Sequence, residues 1–208
     1  MQSQIVVATT NPGKIAELRA CLNDDVEWLG LSDFKNIKEV EEDGETFAEN
    51  ARKKAIGYAR QTGLWTIADD SGLMIDTLGG QPGIHSARFS GTPQPHTKRS
   101  LIDHKNIEKV LRLLKDVEKE KRTARFVCCL CLASPEKVLL ETRGTIEGII
   151  TEKEIGEGGF GYDPIFFVPK LNKTVAQLAA DEKNAVSHRG NAIRKLRPML
   201  AELLASGT

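Results

Sequence analysis

Apolar and polar positions along the chain follow two rhythms. Residues 4–9, QIVVAT, make a continuous apolar run of strand length, and IAELRACL then places Ile15, Leu18 and Leu22 on one helical face. Between them, Asn11 is a good helix cap and Pro12 suits the first helical position, where a missing N–H costs nothing. A second helix is predicted from the capping box of Thr46 and Glu49, through FAENARKKAIGYARQ to Gly63, with Phe47, Ala51, Ala55 and Tyr58 along one side. A strand over 65–69 follows and is expected to stop at two adjacent carboxylates, Asp69 and Asp70.

The stretch DTLGGQPGIHSARFSG reads as loop around a short extended piece, and SGTPQPHTKRS as an exposed loop. Helical spacing resumes over 104–115 with Ile107, Val110, Leu111 and Leu114, and KDVEKEKR after it reads as a solvated connection. Strands are predicted over 124–133 and 137–150, joined by SPEK and paired antiparallel, which would make the sheet mixed. The apolar PIFFVP, a capped short helix at TVAQLAA and a terminal helix near 188–205 complete the chain. Pro198 lies inside that last helix, where proline costs about 3 kcal/mol, so a kink or break is expected. Alternating strands and helices give an α/β class.

Length adds that 208 residues can bury one good core, or two lobes sharing a sheet, and the expected organisation is a single domain over 1–208. Lys+Arg and Asp+Glu both number 29, so there is no bulk attraction to a nucleic-acid polymer or to a membrane. Apolar runs such as FVCCLCLA are too short to cross a bilayer, and MQSQIVVATT has no basic region before its apolar stretch. A soluble, untargeted, cytoplasmic chain is expected. Of four cysteines, Cys128, Cys129 and Cys131 share one strand-like run, which suits small buried side chains in a reducing compartment and offers no tetrahedral metal geometry.

Four motifs could carry chemistry. Gly156, Gly158 and Gly161 in GEGGFG match a dinucleotide-binding spacing, but that turn needs a helix directly after it, and here Tyr162, Asp163 and Pro164 lead into PIFFV. The loop is instead notable for Phe160 and Tyr162, which are costly to display unless they stack on a base. TNPGK puts Lys14 beside a helix N-terminus, a place that suits phosphate or is simply a cap. The carboxylates of VEEDGETF (Glu41, Glu42) and ADDSG (Asp69, Asp70) are oxygen ligands of the kind Mg²⁺ accepts. Acids ending an apolar strand carry a desolvation cost that metal or hydrogen bonds must offset, whereas EEDGE also reads as a surface turn. DEKNAVSHRG places Lys183, Ser187, His188 and Arg189 at a helix start, with Ser187 a possible cap and no catalytic triad in evidence.

In order, TTNPGK, EEDGETFAENARKKA, ADDSGL, GGQPGIHSARFSG, GGFGYDPIF and DEKNAVSHRG closely resemble the inosine triphosphate pyrophosphatase family, over nearly the whole chain. The resemblance implies an α/β fold with an elongated mixed sheet flanked by helices, two lobes with an active-site cleft between them, and a homodimer. It implies hydrolysis of ITP, dITP and XTP to the monophosphate and pyrophosphate with Mg²⁺, a house-cleaning reaction. Carried over by position, Thr9, Thr10, Asn11, Pro12, Gly13 and Lys14 form the triphosphate turn, and Lys54 faces phosphate. Glu41 and Asp70 hold the metal, Asp70 also accepts the water's proton, and Ser71 contacts substrate. Phe160, Gly161, Tyr162 and Asp163 form the nucleoside loop, and Lys183, His188 and Arg189 the base-recognition cluster. The link TPQPHTKRSLIDHKN is longer than the pattern, and Pro198 interrupts the last helix. Two rivals remain: a related pyrophosphatase for pyrimidine or modified nucleotides, and a non-enzymatic nucleotide-binding module.

Overall fold

Seven strands form one mixed sheet in the order β2-β1-β3-β4-β5-β6-β7. The computed structural model describes residues 3–21, 26–92, 94 and 96–206, and Leu22, Pro93 and Pro95 of the expected helix face and loop lie outside these. The strands are β1 (Ser3–Val7), β2 (Val26–Gly30), β3 (Trp65–Ile75), β4 (Thr123–Ala133), β5 (Val138–Ile150), β6 (Phe166–Val168) and β7 (Lys173–Thr174). The helices are α1 (Pro12–Cys21), α2 (Phe47–Thr62), α3 (Arg99–Leu113), α4 (Ala180–Val186) and α5 (His188–Ala205). β1 runs parallel to β2 and β3, with Val7 opposite Gly30 and Ile67, whereas β6 is antiparallel to both β5 and β7.

The chain divides into two compact units, and β3, β4 and β5 contribute residues to each. The first comprises Met1–Asp70, Cys128–Thr145 and Ser187–Thr208. Its core gathers Ile5 and Val7 of β1, Leu18 of α1, Ile67, alternate residues Cys128, Leu130 and Leu132 of β4, and Ile193, Leu196 and Leu200 of α5. Burial raises the Cys128 thiol's pKa and pushes that of Cys131 up to about 12, so both stay protonated packing groups, as expected of free cysteines in a strand. The second unit comprises Ser71–Val127 and Ile146–Val186, with a core of Leu73, Ile75, Ile107, Val110, Phe126, Tyr162 and Phe166 among others.

Local capping explains where most helices begin. Asn11 Oδ1 accepts the Gly13 N–H at 3.0 Å, Thr46 Oγ1 accepts the Glu49 N–H at 3.1 Å, and Ser187 Oγ accepts the Gly190 N–H at 3.1 Å. α2 ends at Gly63, whose φ of 72° needs no Cβ. Phe47, Ala51, Ala55 and Tyr58 are all buried, as their spacing predicts.

Four expectations are corrected. β3 does not stop at Asp69 but continues through Asp70, Ser71 and Gly72 to Ile75, because Leu73 and Ile75 are fully buried in the second core. Helix α3 starts at Arg99, five residues early, through a first turn with no apolar period. Of the kink or break expected at Pro198, the break does not occur: α5 runs through it, and Pro198 is exposed, so the carbonyl it leaves unpaired can face water, while Leu196 and Leu200 stay buried on the other side. Arg122, in the connection read as solvated, is buried and donates to the carbonyls of Leu114, Val117 and Thr151. β2, a short strand of mixed polarity, was not foreseen.

β3 can pass Gly72 because Ser86 takes the space a side chain would fill. Ser86 Oγ accepts the Leu73 N–H at 2.9 Å and donates to the Gly83 carbonyl at 2.6 Å. A Cβ on Gly72 would stand 2.7 Å from that carbonyl oxygen and clash with Ser86 Oγ. Gly72→Ala is therefore expected to lower stability by about 1–3 kcal/mol, the usual cost of overpacking, measured as a fall in the urea midpoint.

Candidate active site

Within the first unit, two lysines and an arginine meet four carboxylates around the end of the unit's part of β3. The N-terminus of α1 carries Lys14 toward β3, where its ammonium lies 2.9 Å from Asp69 Oδ2. The same oxygen accepts from Arg189 of α5, at 3.0 Å from Nη2 and 3.3 Å from Nε, and Arg189 Nη1 donates to Glu17 of α1. Asp69 and Arg189 are each only 1% exposed. Burial works against the Asp69 charge, but Lys14 and Arg189 outweigh it and hold the carboxyl well below the usual range. Burial likewise opposes the Arg189 charge, and Asp69 and Glu17 overcome it.

On the other side of the strand, Lys54 of α2 lies 3.3 Å from Glu42 and 3.7 Å from Asp70 Oδ1. Desolvation disfavours its charge, yet Asp69, Asp70 and Glu42 together raise its pKa. Asp70 behaves oppositely to its neighbour. Burial raises its pKa, and Glu42 and Asp69 add to that against the pull of Lys54 and Lys14. The loop carrying Glu42 is fixed at Gly44, whose N–H donates to Asn50 Oδ1 at 2.8 Å and where a Cβ would stand 2.8 Å from that of Glu49.

Of the residues singled out by motif, Lys14, Lys54, Asp70 and Arg189 come together in this unit. Asn11 fills the helix cap, supported by Thr9 Oγ1, which accepts the Asn11 N–H at 3.2 Å. Thr10 and Pro12 are exposed beside it, with Gly13 half-buried. Glu41 is exposed, and it is Glu42 that meets Lys54. His188 is buried at the first position of α5. Arg189 is buried and donates to Asp69 and Glu17. Glu17 and Asn50 escaped the motif search; Glu17 had a signal, standing three residues after Lys14 on the same helical face.

The second unit holds the glycine-rich loop, whose glycines lead through a single 3-10 turn, Asp163–Ile165, into β6 rather than into the α-helix that a dinucleotide fingerprint needs. Asp163 Oδ2 is its anchor, accepting the Phe160 N–H at 2.9 Å and the Lys183 ammonium at 2.6 Å. Gly159, at φ 75°, is required there because a Cβ would strike Asp163. Lys183 of α4 also stands 4.4 Å from the centre of the half-buried Phe160 ring. Gly161 N–H donates to Asp103 of α3 at 3.0 Å, a contact that sequence motifs did not flag. Tyr162 is not displayed beside the loop: it is 5% exposed in the core, its hydroxyl donating to the Ser86 carbonyl at 2.8 Å. Ser71, the first residue of this unit, is half-buried.

Known proteins share this arrangement's sequence. The model of the Ham1 family matches residues 5–199. A dITP/XTP pyrophosphatase of Bacillus anthracis is 50% identical over 202 residues, covering 96% of each chain. One from Listeria monocytogenes is 44% identical over 207 residues, covering 99% of this chain and 98% of that one. Among solved structures, the Staphylococcus aureus Ham1 protein is 41% identical with a TM-score of 0.83, covering 96% of this chain and 99% of its own. A HAM1 protein from Coxiella burnetii reaches a TM-score of 0.85 at 39% identity, with the same coverages.

Because the folded pKa of Asp70 is raised, its ionised form costs stability. That cost is absent below the ordinary carboxylate pKa and is fully present once pH exceeds the folded value. Asp70→Asn should therefore raise the melting temperature of metal-free protein at pH 7 and lose that gain near pH 3, read by calorimetry at the two values.

Proposed function

The chain belongs to the Ham1 family, and on that premise we propose that it hydrolyses the non-standard purine nucleotides dITP, ITP and XTP to their monophosphates and pyrophosphate. One conjunction carries the reading. Relatives named dITP/XTP pyrophosphatases align over nearly the full chain, and the first unit gathers Lys14 and Lys54 with Asp70.

A divalent ion, Mg²⁺ by its oxygen ligands, fits that donor set. Among the described residues no three His, Cys, Asp or Glu side chains stand together as a ready-made ligand group. Mg²⁺ characteristically binds one or two carboxylates and completes its shell with waters and phosphates. Glu41 and Asp70 would hold it, and a cation there offsets the burial and like charges that raise the Asp70 pKa. When bound, such an ion neutralises phosphate charge and acidifies a coordinated water.

The chain's own groups supply the rest. Asp70 accepts the proton of the attacking water, a task its raised pKa favours. Lys14 and Lys54 stabilise charge as it moves onto pyrophosphate, and Thr9, Thr10, Asn11, Pro12 and Gly13 present the turn beside them, with Ser71 contacting substrate. In the other unit Phe160 stacks on the purine, in a loop set by Gly161, Tyr162 and Asp163. Lys183, His188 and Arg189 form the base-recognition cluster, with donors from the His188–Arg189 region meeting the 6-keto oxygen that hypoxanthine and xanthine have and adenine lacks. A site built for that bond rejects a mismatched edge by about 10⁴ or more. Among the described residues no helix is long and apolar enough to cross a membrane, and we place the enzyme with the cytoplasmic nucleotide pool, as a homodimer.

Pyrophosphate release from dITP, XTP, dGTP, dTTP and ATP, with and without Mg²⁺, tests the reading. Turnover is expected for dITP and XTP, dependent on the metal; equal turnover of dITP and dGTP would remove the specificity claim. Phe160→Ala is expected to raise KM for dITP, and an unchanged KM would count against stacking.

A further inference from the structure

Phe160 stands between two of the most permissive residues in the chain. Gly159 and Gly161 both take left-handed φ, 75° and 62°, and glycine gives a loop little conformational preference of its own. The direction of the Phe160 ring therefore depends on what holds the peptides on either side of it. Two buried carboxylates do so: Asp163 Oδ2 accepts the Phe160 N–H at 2.9 Å, and Asp103 Oδ2, from α3, accepts the Gly161 N–H at 3.0 Å. Bonds from backbone N–H groups to carboxylates are among the stronger ones. Asp163 belongs to the motif GGFGYD, whereas Asp103 belongs to no motif and lies 58 residues before Gly161.

The helix that carries Asp103 is well fixed. Ile107 and Val110 of α3 are buried in the second core. Asn106, 2% exposed, accepts the Ser90 N–H at 2.7 Å and donates to the Ser86 carbonyl that also takes the Tyr162 hydroxyl. Arg99, in the turn by which α3 starts early, stands 3.0 Å from the other Asp103 oxygen. Asp103 thus reaches the loop from a rigid base, to which Tyr162 is already tied.

We infer that Asp103 is a positioning residue for Phe160, holding the Phe160–Gly161 peptide so that the ring faces the purine. With its bond in place, both N–H groups flanking the Phe160 Cα are fixed, one by each carboxylate. Without it, ψ of Phe160 and φ of Gly161 are released, and the ring samples directions that do not stack. Stacking tolerates any base, so the loss falls on nucleotides and spares an inorganic phosphate chain.

The inference rests on the proposed stacking of Phe160 on the base, and the experiment separates the two. Full-length wild type, Asp103→Ala, Asp103→Asn, Phe160→Ala and the Asp103→Ala, Phe160→Ala double variant are compared by KM and kcat for dITP. Calorimetry adds their Kd for dIMP and for inorganic tripolyphosphate, which has no base. Asp103→Ala is expected to raise KM and the dIMP Kd about five- to tenfold, within what stacking on one base supplies, with kcat changed less. Its tripolyphosphate Kd should not move. Asp103→Asn, whose amide oxygen can still accept the Gly161 N–H, should recover most of the loss, and in the Phe160→Ala background Asp103→Ala should add nothing. Constants unchanged in Asp103→Ala while Phe160→Ala raises them overturn the inference, as does a loss that Asp103→Asn does not recover. An equal loss in both backgrounds, or a tripolyphosphate Kd that rises with the dIMP Kd, marks a merely structural bond and overturns it too. If Asp103→Ala does not fold, Asp103→Ser, whose hydroxyl stops one bond short of the carboxylate oxygens, is read by the same comparisons. Phe160→Ala that leaves the nucleotide constants unchanged refutes the stacking, and the inference with it. Wild type that binds dIMP but releases no pyrophosphate refutes the proposed reaction, while the dIMP arm still decides the role of Asp103. Wild type that does neither refutes both.

Discussion

A carboxylate 1% exposed in the middle of a strand stays ionised only because two cations reach it. Asp69 has Lys14 from the start of α1 and Arg189 from the start of α5 on the same oxygen, and the rest of the first unit is arranged to deliver them. The Asn11 cap fixes where α1 begins and so where Lys14 points. The Ser187 cap does the same for Arg189, one residue into α5. Close packing helps: a Cβ on Gly144 of β5 would collide with the His188 carbonyl, so that strand lies directly against the start of α5. Removing either cation would leave a buried charge short of compensation, the costly way to break such a pair.

The adjacent aspartate shows the opposite economy. Successive strand residues point to opposite faces, and Asp70 pairs with Lys54, which Glu42 shares, at 3.7 Å, a longer contact than either cation makes with Asp69 Oδ2. Its ionised form is disfavoured where that of Asp69 is favoured. A strained acid beside a satisfied one is the pattern expected when one member supports and the other reacts, since active groups need pKa values moved toward their task. The second unit follows the same division of labour. Asp163 is consumed in holding the Phe160 N–H and Lys183, and Tyr162 in the core, so that Phe160 is the aromatic ring the loop leaves half-buried.

What could be read from sequence was what depends on near neighbours. The caps at Asn11, Thr46 and Ser187, the stripe of α2 and the failure of GEGGFG as a dinucleotide turn are all decided within a few residues, and the structure bears them out. Six ordered motifs also identified the family. What could not be read depends on distant partners. β3 looked as though it should end at Asp69 because the arginine that makes burial tolerable lies 120 residues further on. Arg122 looked like a solvated residue for the same reason: nothing local shows that its guanidinium is enclosed by backbone carbonyls, or that Arg189 is held by carboxylates of α1 and β3. The early start of α3 at Arg99 was hidden because its first turn carries no apolar rhythm, and Asp103 within it is recognisable only through its bond to Gly161.

The account stands on the ionised state of Asp69, and equilibrium urea unfolding of Asp69→Asn at pH 7 tests it most directly. Neutralising that carboxylate leaves Lys14 and Arg189 facing an amide in a buried site, and a loss of about 3–5 kcal/mol is predicted. Stability within about 0.5 kcal/mol of wild type, the range of an ordinary surface change, would contradict it.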